Sequence, residues 1–440
     1  MQKKLNVVLI TIDSLRADHL GCYGYRHSTS PNIDKLAAQG ALAENLFCSA
    51  IPTHPSYTTL YTGQHAIRHK IVAHAGKNVL AREAPFLSEF FLHEGYTTCA
   101  ADNLMRNRLW FGRGYEYYID SSLKRPLIVN VTCEDLHARV VPWLRNHAGE
   151  PFFLFLHYWD THYPFTPPPS YRHLFYEGDN PTDPDNHSLD KWWDFPFGMI
   201  ARDTWLRTPE GPVTDPAYLT ALYDQEILYL DDHLPELLGA LDDLGLSENT
   251  LVVLVADHGE SLTEHNIFCE HHGLYDCVLH IPFIARLPGR IPPGTRLPQM
   301  LRMQDVAPTV LEAAGLPIPK EMDGKSFWRL LTGEARDGGA SRVVSLESSW
   351  QCKWSLRTDR YKLILSRIQD FYGNPMRELY DLEADPQEER NLAEEEKALA
   401  REMEEELEGW IADRLKALGE SQDPVVAHGP SLLEGNWDGA

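Results

Sequence analysis

Three apolar runs each end in groups that bind cations or move protons. Ile10-Thr11-Ile12 ends in Asp13-Ser14, Phe152–Tyr158 is followed by Asp160-Thr161-His162, and Leu251–Ala256 ends in Asp257-His258-Gly259-Glu260. If the runs are strands of one open α/β sheet, the groups beyond their carboxyl ends meet where such sheets bind ligands. Carboxylate and imidazole together suit zinc or manganese, and an all-oxygen set suits calcium or magnesium. Singly, an Asp after a strand is a common turn former, and a lone His is more often structural than a ligand. Three such ends together favour one metal centre. His265, His271 and His272 follow within Glu264–Gly273, although a chain with 20 His also clusters some on its surface by chance. Pro52-Thr53-His54-Pro55-Ser56-Tyr57 reads as a turn into a helix, with Thr53 as N-cap and Ser56 in the first turn. That segment alone is structural. A helix N-terminus also stabilises an anion, and a Thr hydroxyl beside a bound cation is acidified enough to attack phosphorus or sulfur.

Positioning these groups requires alternating strands and helices. Val7–Ile12 reads as a buried strand and Pro31–Gln39 as a helix, with Ser30 its N-cap and Pro31 its first residue. Phe86–His93 has a helical pattern and Thr97–Ala101 that of a strand. Leu219–Leu244 predicts the longest helix, with Leu219, Tyr223, Ile227, Leu230, Leu234 and Leu237 on helical spacing and Pro235 kinking or splitting it. This order implies an α/β fold with a central, mostly parallel sheet between helices. Residues 167–216 break the pattern with Pro, Asp, Asn and aromatics, including Trp192, Trp193 and Trp205, and read as an ordered lid or substrate-binding insertion. Val343–Leu346, Trp354–Arg357 and Tyr361–Leu365 predict a small separate antiparallel sheet. The acidic run Glu388–Glu408 follows, with Leu399, Met403, Leu407 and Trp410 on one face of a C-terminal helix. The chain thus divides into a catalytic α/β domain over residues 1–335 and a C-terminal subdomain over residues 336–440.

Composition bounds the function. The 440 residues are 43% apolar and 24% charged, as in a globular protein. A net charge of −24, from 40 Lys and Arg against 64 Asp and Glu, argues against nucleic-acid polymers as partners. It does not argue against a small anionic ester, because a bound metal ion outweighs distant surface charge. No run of about 18 apolar residues occurs, so no membrane span is expected. Met1-Gln2-Lys3-Lys4 leads directly into Leu5–Ile10, which reads as the first core strand and not as a signal peptide. Seven scattered cysteines without a CxxC pair predict neither a disulfide framework nor a structural zinc cluster. The expected setting is cytoplasmic, and assembly into a homo-oligomer is compatible with all of this.

The ordered blocks resemble the sulfatase family within the alkaline phosphatase superfamily over most of the chain. They begin with Asn6–Asp18, Gly21-Cys22-Tyr23-Gly24 and Ser30-Pro31-Asn32-Ile33-Asp34. They continue through Thr53–Gly63, Asp160-Thr161-His162-Tyr163-Pro164-Phe165, Tyr223–Leu241 and Asp257-His258-Gly259-Glu260. His272-Gly273-Leu274-Tyr275-Asp276, His280-Ile281-Pro282-Phe283, Tyr361-Lys362-Leu363-Ile364 and Glu378–Leu382 complete the match. The resemblance implies an alkaline-phosphatase-like α/β fold and a metal-dependent ester hydrolase.

The departures bear on the substrate. Sulfatases carry Cys, or sometimes Ser, at the first position of a C/S-x-P-x-R motif and oxidise it to formylglycine. Here Thr53 stands there and Tyr57 replaces the Arg. Oxidation of a secondary alcohol gives a ketone, so Thr53 cannot become formylglycine. The family's Lys-x-His block after Gly95-Tyr96-Thr97 is replaced by Ala101-Asp102-Asn103, and a second acid beside Asp13 by Ser14. A Thr nucleophile is similar to the phosphodiesterase, nucleotide pyrophosphatase and phosphonoacetate hydrolase branches. Asp257-His258, where calcium arylsulfatases often have Asp-Asn, points to Mn or Zn over Ca.

The resemblance implies Asp13, Thr53, Asp257 and His258 around one ion, and Asp160, His162 and His272 around a second. Alternatively, His162 holds a substrate oxygen and His272 is the general acid. His54 and His265 are further candidates to protonate the leaving group. Tyr57, His69, Asn103, Trp192 and Trp193 are candidate substrate-side residues, with core packing an equal alternative for His69. The expected reaction is hydrolysis of a phosphate or phosphonate ester through a covalent phospho-threonine. Sulfate-ester hydrolysis without formylglycine and phosphoryl transfer to an alcohol are alternatives. A metal-binding module without catalysis is disfavoured, because nucleophile and ligands coexist.

Overall fold

The computed structural model describes residues 4–74, 76–124, 128–172 and 174–432, so the first three residues of the N-terminal reading lie outside the described residues. In chain order the strands are β1 (Asn6–Ile12), β2 (Ala41–Phe47), β3 (Ala50–Ile51), β4 (Thr97–Ala101), β5 (Tyr117–Ile119), β6 (Phe152–Tyr158), β7 (Arg207–Thr208) and β8 (Gly211–Pro212). They continue with β9 (Thr250–Ala256), β10 (His280–Arg286), β11 (Thr295–Arg302), β12 (Val343–Glu347), β13 (Lys353–Arg357), β14 (Tyr361–Ser366) and β15 (Arg377–Asp381). Eight of them form the main sheet in the order β11-β2-β10-β9-β1-β6-β4-β5. All neighbours run parallel except at β10, which is antiparallel to both β9 and β2.

The three central strands, β1, β6 and β9, are buried at every residue. That is why they read as continuous apolar runs and not as alternating ones. Their register is what matters for chemistry. Ile12 pairs with Tyr158 on one side and with Ala256 on the other. Asp13 and Asp257 therefore leave neighbouring strands at the same level.

Several elements differ from expectation for identifiable reasons. The long helix runs unbroken from Pro216 to Asp243, past Pro235. Proline there removes the hydrogen bond to the carbonyl four residues earlier, and that carbonyl, of Asp231, instead accepts from Asn32 Nδ2 at 3.1 Å. The Asp231 carboxylate accepts from the backbone N–H groups of Asn32 and Ile33, at 2.8 and 2.7 Å. It thus caps the helix Pro31–Ala38 in place of Ser30, whose hydroxyl lies on Asp34 at 3.0 Å. Strands β2, β10, β11 and β15 carry no clear apolar period; β11 alternates buried and exposed residues and contains Pro298, as an edge strand tolerates. The C-terminal helix spans Lys397–Leu418 and begins after the first third of the acidic run.

Within residues 167–216 two short helices, Asp190–Trp193 and Pro196–Asp203, and the hairpin β7–β8 give the insertion its own structure. It is pinned to the long helix, where Gln225 donates to Leu174 O at 2.5 Å and Tyr176 to Asp215 at 2.8 Å. Among the described residues no helix is long and apolar enough to cross a membrane.

The second sheet has the order β15-β14-β13-β12-β3. Four strands are antiparallel, and β3 joins the edge in parallel, Ala50 opposite Leu346 and Ile51 opposite Glu347. Its edge strand therefore comes from inside the N-terminal part of the chain, two residues before Thr53. A buried ion cluster adds to this join: Lys362 Nζ lies 2.5 Å from Asp276 and 2.7 Å from Glu388, and Arg357 reaches Asp276 at 3.0 Å. Removing one partner of a buried set strands the other charges. Lys362→Met should destabilise the protein by about 3–5 kcal/mol, read as a lowered urea midpoint; an unchanged midpoint would show that the cluster does not clasp the sheets.

Candidate active site

Asp13, Asp257 and His258 form the one group of three potential metal ligands found among the described residues, with ligand atoms all within 4.8 Å of one another and all three residues buried. Asp257 Oδ1 accepts from the backbone N–H groups of Ser14, at 3.2 Å, and His258, at 2.9 Å. Its other oxygen is buried without a hydrogen-bond partner. His258 Nδ1 lies 2.9 Å from Gly259 O, which assigns the proton to that nitrogen and leaves Nε2 as an acceptor. Burial lowers the imidazole to about 4, so it is neutral. Nε2 and Asp257 Oδ2 face each other at 3.2 Å. With the Asp257 carboxyl ionised, these two atoms and the nearby Asp13 fit a divalent cation. Gly259 is required at the turn, since a Cβ there would meet Cys277 O at 2.1 Å.

A relay behind Asp13 holds its charge. His157 Nε2 lies 3.2 Å from Asp13 Oδ2, and its Nδ1 lies 2.8 Å from Asp102 Oδ1. Burial alone would lower His157, but hydrogen bonds to the two carboxylates overcome this and raise it to about 9. Burial likewise pushes Asp13 up, and the His157 bond together with the facing His162 and His258 more than reverses it, holding Asp13 well below the usual carboxylate range. Asp257 has no such partner; burial and the neighbouring Asp13 push it well above that range. Neither His157 nor Asp102 was among the residues expected at the site. The available signal was a His interrupting an otherwise apolar, fully buried strand.

Thr53 Oγ1 lies 3.3 Å from His258 Nε2, and the residue is 1% exposed. Thr53 is the first residue of the helix Thr53–Thr62, and the N-cap position belongs to Pro52. The expected capping role of Thr53 is thus corrected, and its hydroxyl remains free for the site. Ser56, one turn on, donates to Asp257 O at 2.6 Å and ties the helix start to the end of β9.

Imidazoles surround this group. His162 Nδ1 is held by Tyr163 O at 2.5 Å, and its ring lies 5.3 Å from that of His271. His271 stacks on His258 at 4.7 Å. His272 Nδ1 lies 2.8 Å from Glu347 Oε1, whose other oxygen accepts from Gly273 N at 2.8 Å. Glu347 is the last residue of β12, so the second sheet orients this His. His74 stacks on His54 at 3.9 Å and interacts electrostatically with Asp13, His162 and His272. Glu347 and His74 were not anticipated; nothing local in their surrounding sequence marks them.

Other expected residues lie elsewhere. Asp160 Oδ1 accepts from Cys133 N at 2.9 Å, at the start of the helix Cys133–His147, and burial raises its carboxyl to about 6. One carboxylate oxygen holds that helix terminus and the other is buried without a hydrogen-bond partner, and Asp160, His162 and His272 do not assemble as a second ligand set among the described residues. His265 stacks on Tyr275 at 3.6 Å, and besides burial it feels Lys362 and Lys353 of the second sheet, so it packs there and not beside Thr53. His54 is buried with neither ring nitrogen bonded, and burial and His74 hold it neutral. Tyr57 is fully buried with its ring 4.7 Å from that of His157, beneath the site and closed to substrate. His69 bridges Thr59 Oγ1 at 3.0 Å and Ile71 N at 3.1 Å, a packing role. Asn103 is 2% exposed at the N-cap of the turn Leu104–Arg106. Trp192 is buried between Trp193, which is half-buried, and Phe268.

Residues 5–316 match the Sulfatase family, and residues 263–413 match the C-terminal region of N-sulphoglucosamine sulphohydrolase. The chain is 23% identical over 393 residues to iduronate 2-sulfatase of Mus musculus, covering 73% of this chain and 71% of that protein. It is 24% identical over 422 residues to Delta 4,5-hexuronate-2-O-sulfatase of Bacteroides thetaiotaomicron, covering 90% and 86%. Among solved structures, phosphonate monoester hydrolase of Agrobacterium radiobacter superposes with a TM-score of 0.73 at 21% identity, covering 94% of this chain and 95% of that chain. The chain belongs to the sulfatase family, has its alkaline-phosphatase-like α/β fold and is an ester hydrolase.

Groups that orient a metal ligand typically govern affinity by about 10–100-fold. Asp102→Asn should weaken Mn binding by that factor in calorimetry, and Asp257→Asn should abolish it. Unchanged affinity in Asp102→Asn would remove Asp102 and His157 from the support of the site.

Proposed function

We propose that the protein hydrolyses phosphate or phosphonate esters, with Thr53 as the nucleophile and a Zn or Mn ion as cofactor. The observation that carries this reading is Thr53 Oγ1 lying 3.3 Å from His258 Nε2, within the Asp13–Asp257–His258 group. An ion held by those three residues would acidify the Thr53 hydroxyl and neutralise the ester oxygens. Thr53 Oγ1 loses its proton to solvent and attacks phosphorus in line. An Oγ–P bond forms, the bond to the leaving oxygen breaks with its electron pair, and that oxygen takes a proton. His272, as an imidazolium whose Nδ1–H is held by Glu347 Oε1, gives it from Nε2. His162, whose Nδ1–H is held by Tyr163 O, keeps Nε2 as an acceptor for a proton of the attacking water. Water then attacks the phospho-threonine, restoring the hydroxyl and releasing phosphate or phosphonate.

Sulfate-ester hydrolysis is the second reading, favoured by the sulfatase names of the curated relatives. Against it stands Thr53: a sulfated threonine lacks the hemiacetal by which formylglycine sheds sulfate. All seven cysteines are unpaired, which supports a reducing, cytoplasmic setting.

Metal-depleted protein, restored separately with Mn, Zn or Ca, should prefer aryl phosphate esters or a phosphonate monoester to an aryl sulfate, with Mn or Zn most effective. Fastest turnover of the sulfate would reverse the assignment. Thr53→Ala should lower kcat/KM by at least about a thousandfold and abolish any phosphorylated intermediate trapped by acid quench; retained labelling would place the nucleophile elsewhere. His272→Asn should cost about 10²–10⁴-fold with a poorly leaving alcohol and far less with 4-nitrophenol. Equal losses would mean that His272 does not deliver the proton.

A further inference from the structure

A cavity of about 490 Å³ lies beside His272. Its wall comes from three distant stretches of chain: Trp192 and Phe195 of the insertion, Phe268 and Glu270 after β9, and Trp350 and Phe371 from the second sheet's loops. Two stacked pairs line it, Trp192 with Phe268 at 6.0 Å and Trp350 with Phe371 at 5.2 Å. Two contacts join it to the reacting groups. Glu270 Oε2 is 3.6 Å from His272 Nε2, and the Trp350 ring stands edge-on to His272 at 6.4 Å. The volume falls within the roughly 300–1,000 Å³ that encloses a small organic ligand.

The chemistry of the wall is selective. Among the described residues Glu270 is its one carboxylate, and no Lys or Arg lines it. A sugar acid would leave its charge unpaired there, and a polyhydroxylated ring would bury hydroxyls without partners. A flat uncharged ring loses nothing polar and gains stacking contacts. Ile200, which lines the cavity and is 57% exposed, marks its mouth.

We propose that this cavity is the leaving-group subsite and that the substrate is an ester of an uncharged aromatic alcohol, whose ring enters between the stacked pairs as His272 protonates its oxygen. The inference rests on the ester-hydrolase reading of the site but not on the choice between phosphorus and sulfur.

The test titrates the product alcohol, 2-naphthol, into the full chain and follows quenching of tryptophan fluorescence, with cyclohexanol and glucose in parallel. Naphthol should quench saturably and inhibit competitively, and the other two should do neither. Phe371→Ala should weaken naphthol binding roughly tenfold, as the loss of one aromatic contact, and raise KM for the naphthyl ester without changing KM for the methyl ester. Ile200→Arg, at the exposed mouth, should do the same without touching the core, which covers the case in which Phe371→Ala fails to fold. Equal binding of the three alcohols, or unaltered naphthol affinity in Ile200→Arg, would overturn the proposal. If naphthol binds but the naphthyl sulfate is the better substrate, the subsite stands and the phosphorus reading falls.

Discussion

Two buried carboxylates emerge side by side from adjacent parallel strands, and much of the structure answers to that juxtaposition. Register makes it unavoidable: once Ile12 pairs with Ala256, the next residue of each strand is an aspartate. Like charges so placed repel, and burial multiplies the repulsion. The protein treats the two differently. Asp13 receives a hydrogen bond from His157, itself held by Asp102, whereas Asp257 receives only backbone N–H groups on one oxygen and keeps the other bare. One carboxylate is neutralised from behind and the other is left facing the space shared with His258 and Thr53. A cation would complete that arrangement, with the Thr53 hydroxyl beside it.

This division also bears on the altered family motifs. The lysine block of the family is absent, and Asp102 stands in that stretch with a raised-pKa imidazole against it. Positive charge behind Asp13 is supplied instead by His157 of β6. Tyr57, in the place of the motif's arginine, packs beneath His157 and shields the relay from water.

The parts of the site legible in the sequence were those at strand ends. Asp13, Asp257 and His258 follow apolar runs that burial on both faces makes conspicuous, and Thr53 lies in a recognisable block. The relay was not legible, because His157 looks like one residue in a core strand and Asp102 acquires meaning only across two strands. Glu347 lies 75 residues beyond the histidine it orients, and no local pattern joins them. Asp160 misled by analogy: it too follows a central strand, yet a helix terminus with unsatisfied N–H groups stood closer. In the fold, the core strands and the long helix were legible from periodicity. Edge strands such as β11, and the continuity of the long helix across Pro235, depend on partners distant in sequence and were not.

The two-residue strand β3 has a temporal consequence. Its partner, β12, lies almost 300 residues later in the chain, so during synthesis the segment leading into Thr53 has nothing to pair with until residues 343–347 have left the ribosome. At roughly 5–20 residues per second that interval lasts tens of seconds. Through most of that time the main sheet is itself incomplete, since β9, β10 and β11 lie between residues 250 and 302, and Glu347 is not yet there to orient His272. The segment leading into Thr53 and the orientation of His272 thus both wait on one late strand.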